Sequence, residues 1–107
     1  MSNLASLQMS DFDSLVIKSS LPVVLDFGAE WCSPCKRLAP IIDGLAGEWT
    51  GKAVFFAVDA DSNPELVGKF QVMSLPTIIV VKNGNEVART VGLQAKEKLV
   101  ELILPHL

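Results

Sequence analysis

Val23-Val24-Leu25-Asp26-Phe27-Gly28-Ala29-Glu30-Trp31-Cys32-Ser33-Pro34-Cys35-Lys36 decides the fold. Its first five residues are mostly apolar with no clean alternation, the pattern of a strand covered on both faces. Its end opens a helix: Pro34 sits in the first turn, where a missing N–H costs no helical bond. Leu38, Ile41, Ile42 and Leu45 then recur at helical spacing as far as Trp49. Pro40 lies inside that pattern and predicts a kink. A buried strand thus feeds a helix, with two cysteines at the junction.

Outward from this unit, Ser10-Asp11-Phe12-Asp13 predicts a helix over 10–19, with Ser10 capping and Asp13 in the third helical position. Phe12, Leu15 and Val16 form its apolar face, and Leu21-Pro22 ends it. Residues 3–7 read as a weak edge strand. Residues 53–58 form a second buried strand, and Asn63-Pro64 opens a short helix with Asn63 as cap. A third strand over 77–82 meets the turn Asn83-Gly84 and returns over 86–91, where Gly92 stops it. A closing amphipathic helix over 96–104 turns Leu99, Leu102 and Ile103 inward. Alternating helices and strands followed by a hairpin give an α/β layer fold with a mixed sheet.

The 107 residues suffice for a single domain over 1–107. Such a chain buries roughly 65% of its unfolded surface, enough for a core without a disulfide mesh. Half the residues are hydrophobic and a fifth charged, at a net charge of −3. That composition is globular, and no like-charge run exceeds two, which argues against nucleic acid as a partner. No apolar run approaches the ~18 residues of a membrane span. Met1-Ser2-Asn3-Leu4 has neither the basic nor the apolar region of a signal peptide. With only two cysteines, a reducing cytoplasm is the expected compartment.

Cysteines three apart in a first helical turn can approach disulfide distance. Such a tight ring stabilises by only about 2 kcal/mol, so stapling is a poor reason for the pair. Its position is a better one: unpaired N–H groups and the helix dipole favour an anionic sulfur. Cys32, outermost and nearest that field, is the candidate attacking thiolate, and Cys35 the resolving thiol. The competing readings are a chance buried pair or a zinc half-site, for which the chain adds only the penultimate His106 and carboxylates. Asp59-Ala60-Asp61-Ser62-Asn63 imitates a calcium loop, but Pro64 and Phe70 occupy the positions that need Gly and Glu. No metal or other cofactor is expected.

The ordered set Asp26-Phe27, Trp31-Cys32-Ser33-Pro34-Cys35-Lys36, Pro40, Asp61-Ser62-Asn63-Pro64, Leu75-Pro76-Thr77, Lys82-Asn83-Gly84 and Val91-Gly92 resembles the thioredoxin family over nearly the whole chain. The resemblance implies a central mixed β-sheet flanked by helices on both faces. It implies a monomeric protein-disulfide reductase whose partners are disulfide-containing client proteins and a thioredoxin reductase. Cys32 then attacks, Cys35 resolves, and the pair ends as a disulfide. By the same resemblance, Pro76 is expected to follow a cis peptide and face the cysteines, the backbone at Ser74-Leu75 to pair with extended substrate, and Gly92 to keep that surface open with Trp31 at its rim.

Asp26, in a strand interior, should be desolvated and its pKa raised. The resemblance makes it the proton relay for Cys35; otherwise it is a buried carboxyl hydrogen-bonded to its neighbours. Three residues depart from the family: Ser33 replaces the usual Gly, Gly28 a frequent aromatic, and Ala57 the usual Lys opposite Asp26. They bear on potential and partners, since none removes a reacting group. The competing functions are a disulfide oxidase or isomerase and a non-catalytic binding subunit. Ser33-Pro34 does not resemble the His-containing pairs of oxidising relatives, and both cysteines are retained.

Overall fold

The computed structural model describes residues 2–107. Five strands form one mixed sheet: β1 (Ala5–Ser6), β2 (Val23–Gly28), β3 (Val54–Asp59), β4 (Thr77–Lys82) and β5 (Asn85–Val91), in the order β1-β3-β2-β4-β5. β1, β3 and β2 run parallel, while β4 is antiparallel to both β2 and β5. Helices α1 (Ser33–Glu48), α2 (Pro64–Phe70) and α3 (Lys96–Ile103) complete the layers.

β2 is buried at every position, as its unalternating sequence predicts for a central strand. Its odd-numbered residues Val23, Leu25 and Phe27 join Leu7, Phe12, Val16, Phe56, Val58 and Leu66 in one core. Val24 faces the other core, with Leu38, Ile42 and Leu45 of α1 and Leu99 and Ile103 of α3. Asp26 lies in register with Ala57 on one side and Ile78 on the other. Period-two alternation therefore places its carboxyl on the α1 side of the sheet.

α1 continues through Pro40, which lies on its exposed side. Trp49 ends the helix and packs on Phe55, ring centroids 6.3 Å apart. The turn at Asn83 and Gly84 has φ of 54° and 80°, the left-handed pair that a two-residue hairpin requires.

The N-terminal helix differs from expectation. It is a 3-10 turn at Met9–Asp11 followed by a π-helical stretch at Asp13–Ile17. Ser10 lies inside the turn and caps nothing; the Asp11 N–H donates to the Gln8 carbonyl at 3.0 Å. The Lys18 N–H reaches the Asp13 carbonyl at 3.0 Å, a wider turn than the α-helical one. The wide turn keeps Phe12 and Val16 in the core while Leu15 leaves the buried stripe, 42% exposed. Asn63 does precede α2, but its amide donates to the Asp59 carbonyl at 3.0 Å and makes no helical cap bond.

Candidate redox site

β2 ends at Gly28, and the chain turns sharply into α1, with the Cys32 N–H donating to the Ala29 carbonyl at 3.1 Å. Cys32 is the N-cap residue, with extended φ and ψ of −91° and 103°. Its sulfur takes the place of the usual capping oxygen and accepts the Cys35 N–H at 3.3 Å. Cys32 and Cys35 are joined as a disulfide, their Cα atoms 5.3 Å apart. Both residues are 4% exposed. Cys32 is therefore not the outermost of the two by exposure; the pair is distinguished by the backbone N–H aimed at the Cys32 sulfur. A donor in that position favours a thiolate once the pair is reduced.

Around the pair, three segments converge. Leu75 packs against Cys32, Cys35 and Ala29, and the Leu75-Pro76 peptide is cis. The Thr77 hydroxyl donates to the Ser74 carbonyl at 2.7 Å, and the Gly92 N–H donates to the Pro76 carbonyl at 2.8 Å. Gly92 has φ of 92°, which a side-chain-bearing residue resists. Ser33 is exposed, Pro34 half-buried, and the Trp31 indole lies open to solvent. That ring is anchored: its Nε1–H donates to Asp61 Oδ2 at 2.9 Å.

Two features at this surface escape a reading of the sequence. Asp61 anchors Trp31 from the loop after β3, a pairing across distant segments that no local pattern announces. Met73, one residue before Ser74, is 92% exposed, and Val91 and Leu93 flank Gly92 with their side chains open to solvent. An apolar residue beside the Ser74-Leu75-Pro76 run was the available signal for Met73.

Asp26 is buried, and burial pushes its carboxyl up to about 7, with the negative field of Asp43 adding to the rise. Asp43 projects from α1, where its two oxygens accept the Asn3 N–H at 3.0 and 3.1 Å. Ala57, in register beside Asp26, supplies no cation to oppose this. A carboxyl near half-ionisation at neutral pH both accepts and donates protons.

The thioredoxin family model matches residues 3–104. The chain is 49% identical over 98 residues to a thioredoxin of Staphylococcus epidermidis, covering 92% of each chain. It is equally similar, at 49% over 98 residues and 92% of each chain, to a thioredoxin of Staphylococcus saprophyticus. Against a thioredoxin of Haemophilus influenzae it is 40% identical over 107 residues, the full length of both. With the sheet order, the N-capping sulfur and the cis peptide beside the pair, these matches place the chain in the thioredoxin family, as a dithiol–disulfide oxidoreductase whose redox pair is Cys32 and Cys35.

Proposed function

We propose that this single domain, over residues 1–107, reduces disulfides of client proteins and is returned to the dithiol by a thioredoxin reductase. The observation that carries the assignment of roles is the Cys35 N–H directed at the Cys32 sulfur. Cys32 thiolate attacks one sulfur of the client disulfide, forming a mixed disulfide and expelling the first client thiolate. Cys35 loses its proton toward Asp26 and attacks the Cys32 sulfur. The mixed bond breaks, the second client thiolate leaves, and the two electrons have passed from the pair to the client. The reductase supplies two electrons to begin again.

Extended client backbone lies along Ser74 and Leu75, with Pro76 and Gly92 holding the floor open and Trp31, Ser33 and Pro34 at the rim. The apolar side chains displayed there suit unfolded or loop segments near a disulfide. No helix among the described residues is long and apolar enough to cross a membrane. A dithiol reductant works in a reducing compartment, which supports the cytoplasm as its place of action.

Alkylation tests the division of labour. In the reduced protein, iodoacetamide is expected to label Cys32 first, by about tenfold or more, because its sulfur accepts the stabilising Cys35 N–H. Peptide mapping reads the order. Faster labelling of Cys35 reverses the two roles.

A further inference from the structure

We propose that Met73 is a site of reversible oxidation, whose sulfoxide weakens the grip on protein clients without touching the redox pair. The proposal rests on the reading of the surface beside Leu75 and Pro76 as the client-docking surface.

The sulfur inventory singles the residue out. With Cys32 and Cys35 joined, no described cysteine is free. Of the described thioethers, Met9 is half-buried against the core built on Leu7 and Phe12, whereas Met73 is 92% exposed. Oxidation of sulfur follows access, so among the described residues a peroxide meeting the disulfide form finds the Met73 thioether before that of Met9. The disulfide protects the pair while the oxidant acts on the methionine.

Met73 is exposed but its segment is not loose. The Val72 N–H donates to the Val67 carbonyl at 3.0 Å, and Val72 itself is buried. On the other side the Ser74 carbonyl is held by Thr77, and Leu75 is packed on the disulfide. The thioether is thus presented outward from a fixed backbone, two residues from the one that touches the redox pair. Methionine suits such a place because its flexible, polarisable chain adapts to varied apolar partners.

The chemistry balances with hydrogen peroxide as the oxidant. A sulfur lone pair attacks one peroxide oxygen, the O–O bond breaks, and sulfoxide and water result. Sulfur is oxidised by two electrons and the peroxide is reduced by two. The product carries a strong dipole where an apolar contact was needed, so docking weakens while exchange at Cys32 is unaffected. A methionine sulfoxide reductase reverses it: two thiols become a disulfide, the sulfoxide oxygen leaves as water, and the thioether returns.

The test treats the disulfide form with hydrogen peroxide, removes it, reduces the pair and maps added oxygen by mass spectrometry. Insulin reduction and exchange with a small aromatic disulfide are then measured, beside Met73→Leu carried through the same steps. Oxygen is expected on Met73 before Met9, with the KM for insulin raised about fivefold, and with kcat and small-disulfide exchange unchanged. Treated Met73→Leu should keep its insulin KM, and a sulfoxide reductase should restore the treated parent protein. Oxygen on Met9 first, equal loss in treated Met73→Leu, or an unchanged KM with Met73 fully oxidised overturns the proposal. Untreated Met73→Gln separates the two levels. An unchanged KM there removes the docking reading and the proposal with it. A raised KM there beside a harmless sulfoxide removes the proposal alone.

Discussion

Cys35→Ser should slow insulin turnover by at least about 10³-fold while leaving the first attack intact. The loss is large because Cys35 is held against the Cys32 sulfur, their Cα atoms 5.3 Å apart in the disulfide. An intramolecular thiol so placed acts at an effective concentration far above any free thiol, and its removal forfeits that advantage. The mixed disulfide between Cys32 and a client then persists. Incubated with oxidised cell protein, Cys35→Ser should collect a ladder of adducts on a non-reducing gel. Cys32→Ser should collect few, because its remaining Cys35 sulfur lacks the capping N–H. Equal trapping by both variants, or none by either, would favour a binding subunit over a reductase.

Asp26→Asn should raise stability above neutral pH and slow reduction at the same time. The native carboxyl is pushed up to about 7 by burial and by Asp43, from an ordinary value of 3.8. Between those values the native state holds a proton that the unfolded chain has released. Stability therefore falls as pH rises through that interval and levels off above about 7. The full interval corresponds to about 4 kcal/mol, an upper bound because a charged site relaxes and takes up water. Asparagine keeps the shape and cannot ionise, so the variant's stability should be nearly flat over the same range. At pH 8 it should exceed the parent by about 3 kcal/mol. Resolution by Cys35 has lost its proton acceptor and should slow by about tenfold or more, with Cys32 alkylation largely kept. Urea denaturation from pH 5 to 8 beside the insulin assay reads both effects. Undiminished turnover would end the relay, and parallel pH profiles would end the desolvation argument.

Much of this was legible because the local signals agree with the global fold. The unalternating run at Val23–Phe27 announced a strand buried on both faces, which the structure extends to Gly28. Pro34 marked the start of α1, and Asn83-Gly84 marked the turn of the last hairpin. Asp26 was conspicuous because a carboxyl in such a strand has nowhere to be solvated. The N-terminal segment departs from its local pattern: Ser10 and Asp13 have cap-like spacing, but the chain closes a wider turn, from the Lys18 N–H to the Asp13 carbonyl, that keeps Phe12 and Val16 buried and turns Leu15 outward. The apolar spacing of Leu15 then carries no weight. At the redox surface, what escaped was long-range. The bond from Trp31 to Asp61, the field of Asp43 on Asp26 and the display of Met73 depend on segments that meet only in the fold. The exposure of Cys32 was overestimated because a helix end reads as a surface, whereas Leu75 covers this one.

Insulin reduction driven by a thioredoxin reductase and NADPH tests the central claim most directly. The account predicts steady NADPH consumption with precipitation of the insulin B chain, abolished in both Cys32→Ser and Cys35→Ser. Absence of turnover, with the pair intact and reducible by dithiothreitol, would contradict it.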